Sequence, residues 1–164
     1  MSFLKELIGG VASDVLSAVS ERLSFTSATK LIETCCHELG LTIKERPGAG
    51  SIALHLNDPV TGVRVVLVSI VEGGALVSFA ATSAVTMPAN EIPGSILGYL
   101  LERNSHSIVA WRVSISDDGS AIFGANYRAL TPGLNPGVFR MICQALLQEA
   151  SEFDDRMRKA GLLH

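Results

Sequence analysis

The chain reads as an α+β fold: an antiparallel five-stranded sheet in the order α-βββ-α-ββ-α, preceded by an extra N-terminal amphipathic helix. Three observations predict it. Apolar residues recur every three to four positions in four segments and every two positions in the stretches between them. The strand-like stretches are joined by short runs of Gly, Asp and Pro, the chemistry of turns rather than of long crossovers. The third observation is the strand from Val63 to Glu72, which is apolar on both faces, with Val65, Leu67 and Val71 on one side and Val66, Val68 and Ile70 on the other. Such a strand calls for cover on both sides, by helices on one and by a second subunit or a bound polypeptide on the other.

Taken in order, Leu4, Leu7, Ile8, Val11, Val15, Val19 and Leu23 mark an amphipathic helix weakened at Gly9-Gly10. Its polar side carries too few Lys and Arg for a membrane-surface helix, which points to a helix docked on the domain or on a partner subunit. We divide the chain into this extension, residues 1–24, and a single domain, 25–164. A second helix starts after the hydroxyl-rich stretch Ser24 to Ser27, buries Ala28, Leu31, Ile32, Cys35 and Leu39, and ends at Gly40. Leu41 to Arg46 and Ser51 to Asn57 read as two pieces of one strand, split at Pro47-Gly48-Ala49-Gly50. Asp58 to Gly62 turns into the doubly apolar strand, and the Gly73-Gly74 turn leads to a strand over Ala75 to Ser83.

A third helix carries Ile92, Ile96, Leu97, Leu100 and Leu101, with Pro93 in its first turn. After Asn104 follows a strand in which Val109, Trp111, Val113 and Ile115 share a face, then the Asp117-Asp118-Gly119 turn and a strand from Ser120 to Leu130. Asn135 caps the last helix and Pro136 opens it. Phe139, Ile142, Cys143, Leu146, Ala150, Phe153 and Met157 lie along its buried side, with Gln148, Glu149, Glu152, Asp155 and Arg156 in solvent.

Composition narrows the function. The chain has 164 residues, 48% hydrophobic and 18% charged, enough for one core with apolar surface left over for an interface. A net charge of −3, with the one basic cluster, Arg156, Arg158 and Lys159, beside Asp154 and Asp155, argues against nucleic acid as a partner. The uncharged run from Gly73 to Asn90 is broken by Gly, Pro and small polar residues, so no membrane span is expected. Three cysteines, two of them adjacent, do not make a disulfide framework and fit reduced, buried thiols in a cytoplasmic protein. The N-terminal stretch lacks the apolar core of a secretory signal.

No candidate for chemistry stands out, and neither a cofactor, a metal nor catalysis is expected. Neighbouring helical residues point about 100° apart, so Cys35, Cys36 and His37 cannot face one ion together. The carboxylates of Asp117 and Asp118 sit where a hairpin turn is due. The chain holds no Gly-x-Ser-x-Gly elbow, no Gly-x-x-x-x-Gly-Lys-Ser/Thr loop and no Gly-x-Gly-x-x-Gly fingerprint. His55 and His106 are the remaining general-base candidates.

From Thr26 to Met157 the element order, the split first strand, the helix end Leu100-Leu101-Glu102-Arg103-Asn104 and the Asp117-Asp118-Gly119 turn before a strand and a long closing helix resemble the YbjN and type III secretion chaperone-like family of bacterial α+β domains. The resemblance implies a dimeric, non-enzymatic module that binds segments of other proteins, as a secretion chaperone or as a regulator. It places the dimer contact on the helix Ile92 to Asn104 and the strand Ser107 to Ser116, at Ile96, Leu100, Val109 and Trp111, with an ordinary core tryptophan as the alternative for Trp111. The polypeptide or second copy would take the sheet face at Val66, Val68 and Ile70, or the opposite set, Val65, Leu67 and Val71. Two other readings stay open: a regulator holding a small molecule between sheet and helices, and an enzyme with His55 or His106 as base.

Overall fold

A computed structural model describes residues 25–163, and the extension expected over 1–24 lies outside the described residues. Helix α1 (Phe25–Glu38) buries Ala28, Ile32, Cys35 and Cys36. Four strands follow as a meander: β1 (Ile43–Gly48), β2 (Ser51–Asp58), β3 (Gly62–Val71) and β4 (Leu76–Pro88). Then come α2 (Gly94–His106), β5 (Ala110–Ile115), β6 (Ser120–Leu130) and α3 (Pro136–Lys159). The Asn135 side chain accepts from the Val138 N–H and Pro136 opens α3, as the sequence predicts. No helix among the described residues is long and apolar enough to cross a membrane.

Among the described residues the sheet has six strands rather than five, all antiparallel, in the order β1-β2-β3-β4-β6-β5. The two pieces expected to form one split strand are a hairpin, with Ile43 opposite Leu54 and Gly48 opposite Ser51. Gly50 makes the reversal possible: its φ is +70°, and a Cβ there would stand 2.3 Å from the Phe25 ring. The element order is therefore α-ββββ-α-ββ-α. The β3–β4 connection is also wider than a two-residue turn. Val71 pairs with Leu76, so Glu72 to Ala75 form the loop, and φ is positive from Glu72 to Gly74. Strand β4 runs five residues past the expected Ser83, through a shift in register between Thr82 and Thr86.

The three α-helices of the described residues pack on one face of the sheet. The inward row of β3, Val66 and Val68, meets Leu54 and Ile52 of β2 and Ala81 and Phe79 of β4. Phe139, Ile142, Leu146 and Phe153 of α3 are fully buried over this layer, at roughly 1.5–3 kcal/mol of burial each. Phe79 meets Phe139 edge-on at 5.1 Å, and Trp111 and Phe123 close around Phe153 at 4.9 and 5.4 Å. The other face of the sheet carries no helix of the described residues, and Val63, Val65 and Leu67 are exposed on it.

Candidate protein-interaction surface

The residues singled out for a partner face lie mostly in the core. Val66, Val68, Ile96, Leu100, Val109 and Trp111 are buried by the chain's own elements. Ile70 is half-buried in a small crevice beside Thr29, Ile32 and Ile52. The reason is parity: each belongs to the face of its strand or helix that meets the helix layer. The free apolar side chains are their neighbours on the same two elements. Leu97 and Leu101 of α2, Ile108, and Val113 and Ile115 of β5 are exposed, with Leu101 at 69%, Ile108 at 57% and Ile115 at 68%.

A buried set of polar contacts holds this corner rigid. The Asn104 side chain brackets the backbone of Trp111, accepting from its N–H at 2.6 Å and donating to its carbonyl at 3.2 Å. The Trp111 indole N–H donates to Glu149 of α3 at 3.2 Å, and Arg103 of α2 donates two hydrogen bonds to the same carboxylate, at 3.1 and 2.5 Å. Glu149, expected in solvent, is thus buried because three donors satisfy it. Burial pushes its carboxyl up, but the bonds from Arg103, Ser107 and Trp111 outweigh that and hold it below the usual value.

The two sheet edges are built differently. Strand β1 carries Lys44, Glu45, Arg46 and Pro47 and two irregularities of register, devices that discourage pairing with another chain. Strand β5 pairs with β6 without a break from Ala110 to Ile115, and its residues are Ala-Trp-Arg-Val-Ser-Ile. The exposed apolar residues of α2 therefore flank a regular edge whose one charge is Arg112.

Two further apolar features face solvent. On the helix-free side of the sheet, Val63, Val65 and Leu67 stand on β3, with Ala53 of β2 and Ala80 of β4 opposite Leu67. Val65 and Leu67 belong to the alternative set read from the sequence, whose third member, Val71, is half-buried. On the helix side, a half-open cleft of about 290 Å³ is lined by Leu39, Leu41, Leu56, Cys143 and Leu147, with Arg140 on its wall.

Among the described residues, the groups singled out for chemistry from the sequence are not brought together. Among the described residues no cluster of three His, Cys, Asp or Glu could hold a metal ion. Cys35 and Cys36 are buried and His37 is exposed, so the three do not face one ion. Burial pushes the Cys143 thiol up to about 12 and that of Cys36 to about 11, far from a reactive thiolate. Asp118 accepts from the Ser116 hydroxyl at 2.5 Å and from the Ser120 N–H at 3.0 Å, which makes it the turn residue expected. His55 is exposed opposite Val65 and His106 is exposed at the end of α2.

One buried cluster escaped the sequence reading. Arg64 of β3 bonds Asp58, and its Nη atoms reach the Thr82 carbonyl at 2.6 Å and Asp154 of α3 at 2.6 Å. Ser83 donates to Asp154 and Ser151 to Asp58. Burial raises the Asp58 carboxyl, but hydrogen bonds from the Val60 and Thr61 N–H groups, from Arg64 and from Ser151 bring it down to about 2. The shifted register of β4 aims Ser83 and the Ala84 N–H at Asp154. A signal existed: Arg64 alternates with Val66 and Val68, and Asp154 falls on the buried stripe with Ala150 and Met157.

No family model matches the sequence, and no curated protein matches it. Solved structures do. The crystal structure of YbjN, a putative transcription regulator from E. coli, is 17% identical, with a TM-score of 0.60 over 83% of this chain and 94% of that one. A chain of the ExsC-ExsE complex is 13% identical, with a TM-score of 0.56 over 79% of this chain and 92% of that one. A chain of the HopA1-SchA chaperone-effector complex is 12% identical, with a TM-score of 0.52 over 77% and 91%. The chain therefore has the YbjN and type III secretion chaperone-like fold that its sequence resembles.

Proposed function

We propose that the chain is a non-enzymatic protein-interaction module, chaperone-like or regulatory, working in the cytoplasm as a homodimer that holds a polypeptide partner through apolar sheet and helix surface. The observation that carries this reading is the apolar corner of α2 and β5, where Leu97, Leu101, Ile108, Val113 and Ile115 lie exposed beside the regular β5 edge. Exposed apolar area of this kind marks an interface. It lies on the two elements expected to carry the dimer contact: on the outward side of α2, and on β5 on the same face as Trp111, beyond its buried part. The likeness to a chain from a chaperone-effector complex supports a partner-holding role. The sheet face at Val63, Val65 and Leu67 is the apolar surface left for the partner. Buried, unpaired Cys35, Cys36 and Cys143 suit a reducing compartment.

Sedimentation of the full chain tests the dimer. A two-chain species is expected, falling to one chain in Leu101→Glu and Ile115→Glu with circular dichroism unchanged; a native monomer refutes the dimer. A stoichiometric protein recovered with the tagged chain supports the partner. The second reading, a small-molecule regulator, rests on the cleft between α3, β2 and the segment after α1, which is mostly apolar with Asn57, Arg140 and Gln144 as its polar groups. A metabolite that raises Tm in the native chain but not in Leu147→Trp supports that reading instead.

A further inference from the structure

On its helix-free face the sheet forms a groove with one apolar and one basic wall. The register places the residues that share this face with Leu67: Ala80 opposite it on β4, Asn126 opposite Ala80 on β6, and Ala110 opposite Asn126 on β5. In the rows on either side, Ser78 stands beside Arg128, and Thr82 beside Gly124 and Arg112. The floor is therefore β4, with the small side chains of Ser78, Ala80 and Thr82. Val65 and Leu67 of β3, 43% and 38% exposed, make one wall, and Asn126 and Arg128 of β6 make the other. Because Gly124 has no side chain, Arg112 of β5 also opens onto the groove. From β3 to β6 is two strand spacings, about 10 Å, which is the width of an α-helix.

Charge on this face runs against that of the chain. The net charge is −3, yet Arg112 and Arg128 are both exposed here, and neither has a carboxylate partner among the described residues. The one carboxylate on strands β2 to β6, Asp58, is buried on the helix side, where it accepts from Ser151 of α3. Glu45 of β1 stands opposite Ala53, four strand spacings from β6, or about 19 Å. Arg128 is four residues along β6 from Gly124, which faces Arg112. The two cationic positions are therefore about 13 Å apart along the sheet, two to three turns of a helix.

The same features select the occupant. Two copies of the face would set four guanidiniums against one another. Nucleic acid would find two cations, too few for a phosphate track, and no ring on which to stack a base, since Phe79, Trp111, Phe123 and Tyr127 alternate to the helix side. A helix with an apolar stripe beside a row of carboxylates satisfies both walls. Building on the partner-holding reading, we propose that the groove receives an acidic amphipathic helix of another protein. Its apolar stripe lies on Val65 and Leu67, and its carboxylates turn toward Arg128 and Arg112.

Two synthetic peptides, each about four helical turns long, test this on the full chain. Both carry one leucine stripe; beside the stripe one carries Glu and the other Lys. By fluorescence anisotropy the native chain should bind the Glu peptide at least about tenfold more tightly than the Lys peptide, with methyl shifts at Val65 and Leu67. Arg112→Glu combined with Arg128→Glu should reverse that order. Should the double change disturb the fold, Arg128→Gln alone should weaken the Glu peptide about threefold. Equal binding of the two peptides overturns the proposal, as does binding of neither, whether the face does not fit or is already taken. An oligonucleotide that displaces the Glu peptide assigns the groove to nucleic acid and also overturns it. So does a lower sedimenting mass in Leu67→Glu, which leaves α2 and β5 untouched, because the face then joins two copies. A natural partner recovered in full with folded Leu67→Glu leaves the partner-holding reading standing and removes this groove from it.

Discussion

Replacing Arg64 with leucine should unfold much of the protein's margin of stability. The guanidinium is the hub of the buried cluster: it bonds Asp58, reaches Asp154 and the Thr82 carbonyl at 2.6 Å each, and ties β3 to the register shift in β4 and to α3. Its side chain is 3% exposed, and the two carboxylates are fully buried. Arg64→Leu leaves two buried negative charges with their remaining neutral donors, Ser83, Ser151 and backbone N–H groups. Stripping one partner from a buried ion cluster costs about 3–5 kcal/mol, against a total of about 5–15 kcal/mol for a typical domain. Arg64→Lys should recover only part of this, because a single ammonium lacks the fork that spans both carboxylates. Urea unfolding followed by the fluorescence of Trp111, the one tryptophan, measures both variants. If Arg64→Leu lies within about 1 kcal/mol of the native chain, the cluster is not the clamp argued here.

Four other outcomes are expected. Asp58 ionises near 2 in the folded chain against an ordinary 3.8, so its contribution, about 2 kcal/mol, is complete above pH 4 and lost as pH falls through 2; acid titration of stability in Asp58→Asn should lack this drop. Asn104→Ala, which frees the Trp111 N–H and carbonyl, should cost about 1–3 kcal/mol in the same assay. Gly50→Ala meets the Phe25 ring while Gly62→Ala meets nothing within 4 Å; both need positive φ, so Gly50→Ala should lower Tm further. The three thiols, all buried and with pKa values raised by burial, should react with an aromatic disulfide reagent at the rate of unfolding rather than at once.

Much of the α+β order was legible because local chemistry decides it. The alternation in β2, β3 and β6, the 3.6-residue stripes of α1 and α3, the Asn135-Pro136 start and the Asp118-Gly119 turn depend on neighbours within a few residues, and each stands where the sequence predicts it. The sixth strand was missed because Pro47 to Gly50 reads equally as a break or a reversal, and only the pairing of Ile43 with Leu54 and of Gly48 with Ser51 distinguishes the two. The bulged extension of β4 depends on Asp154, seventy residues away from Ala84.

The candidate surface was legible only in outline. Periodicity assigns Val66, Val68, Ile96, Leu100, Val109 and Trp111 to apolar stripes, yet a stripe that meets a partner and one that meets the chain's own helix have the same spacing. Local patterning by itself determined which side chains share a face, because backbone geometry repeats every two or 3.6 residues whatever lies beyond. Which face meets α1 and α3, why Glu149 and Asp154 are buried, and why Leu97 and Leu101 of α2 and Val113 and Ile115 of β5 are left bare were decided by the tertiary structure, since each depends on donors and apolar area from segments far off in the chain.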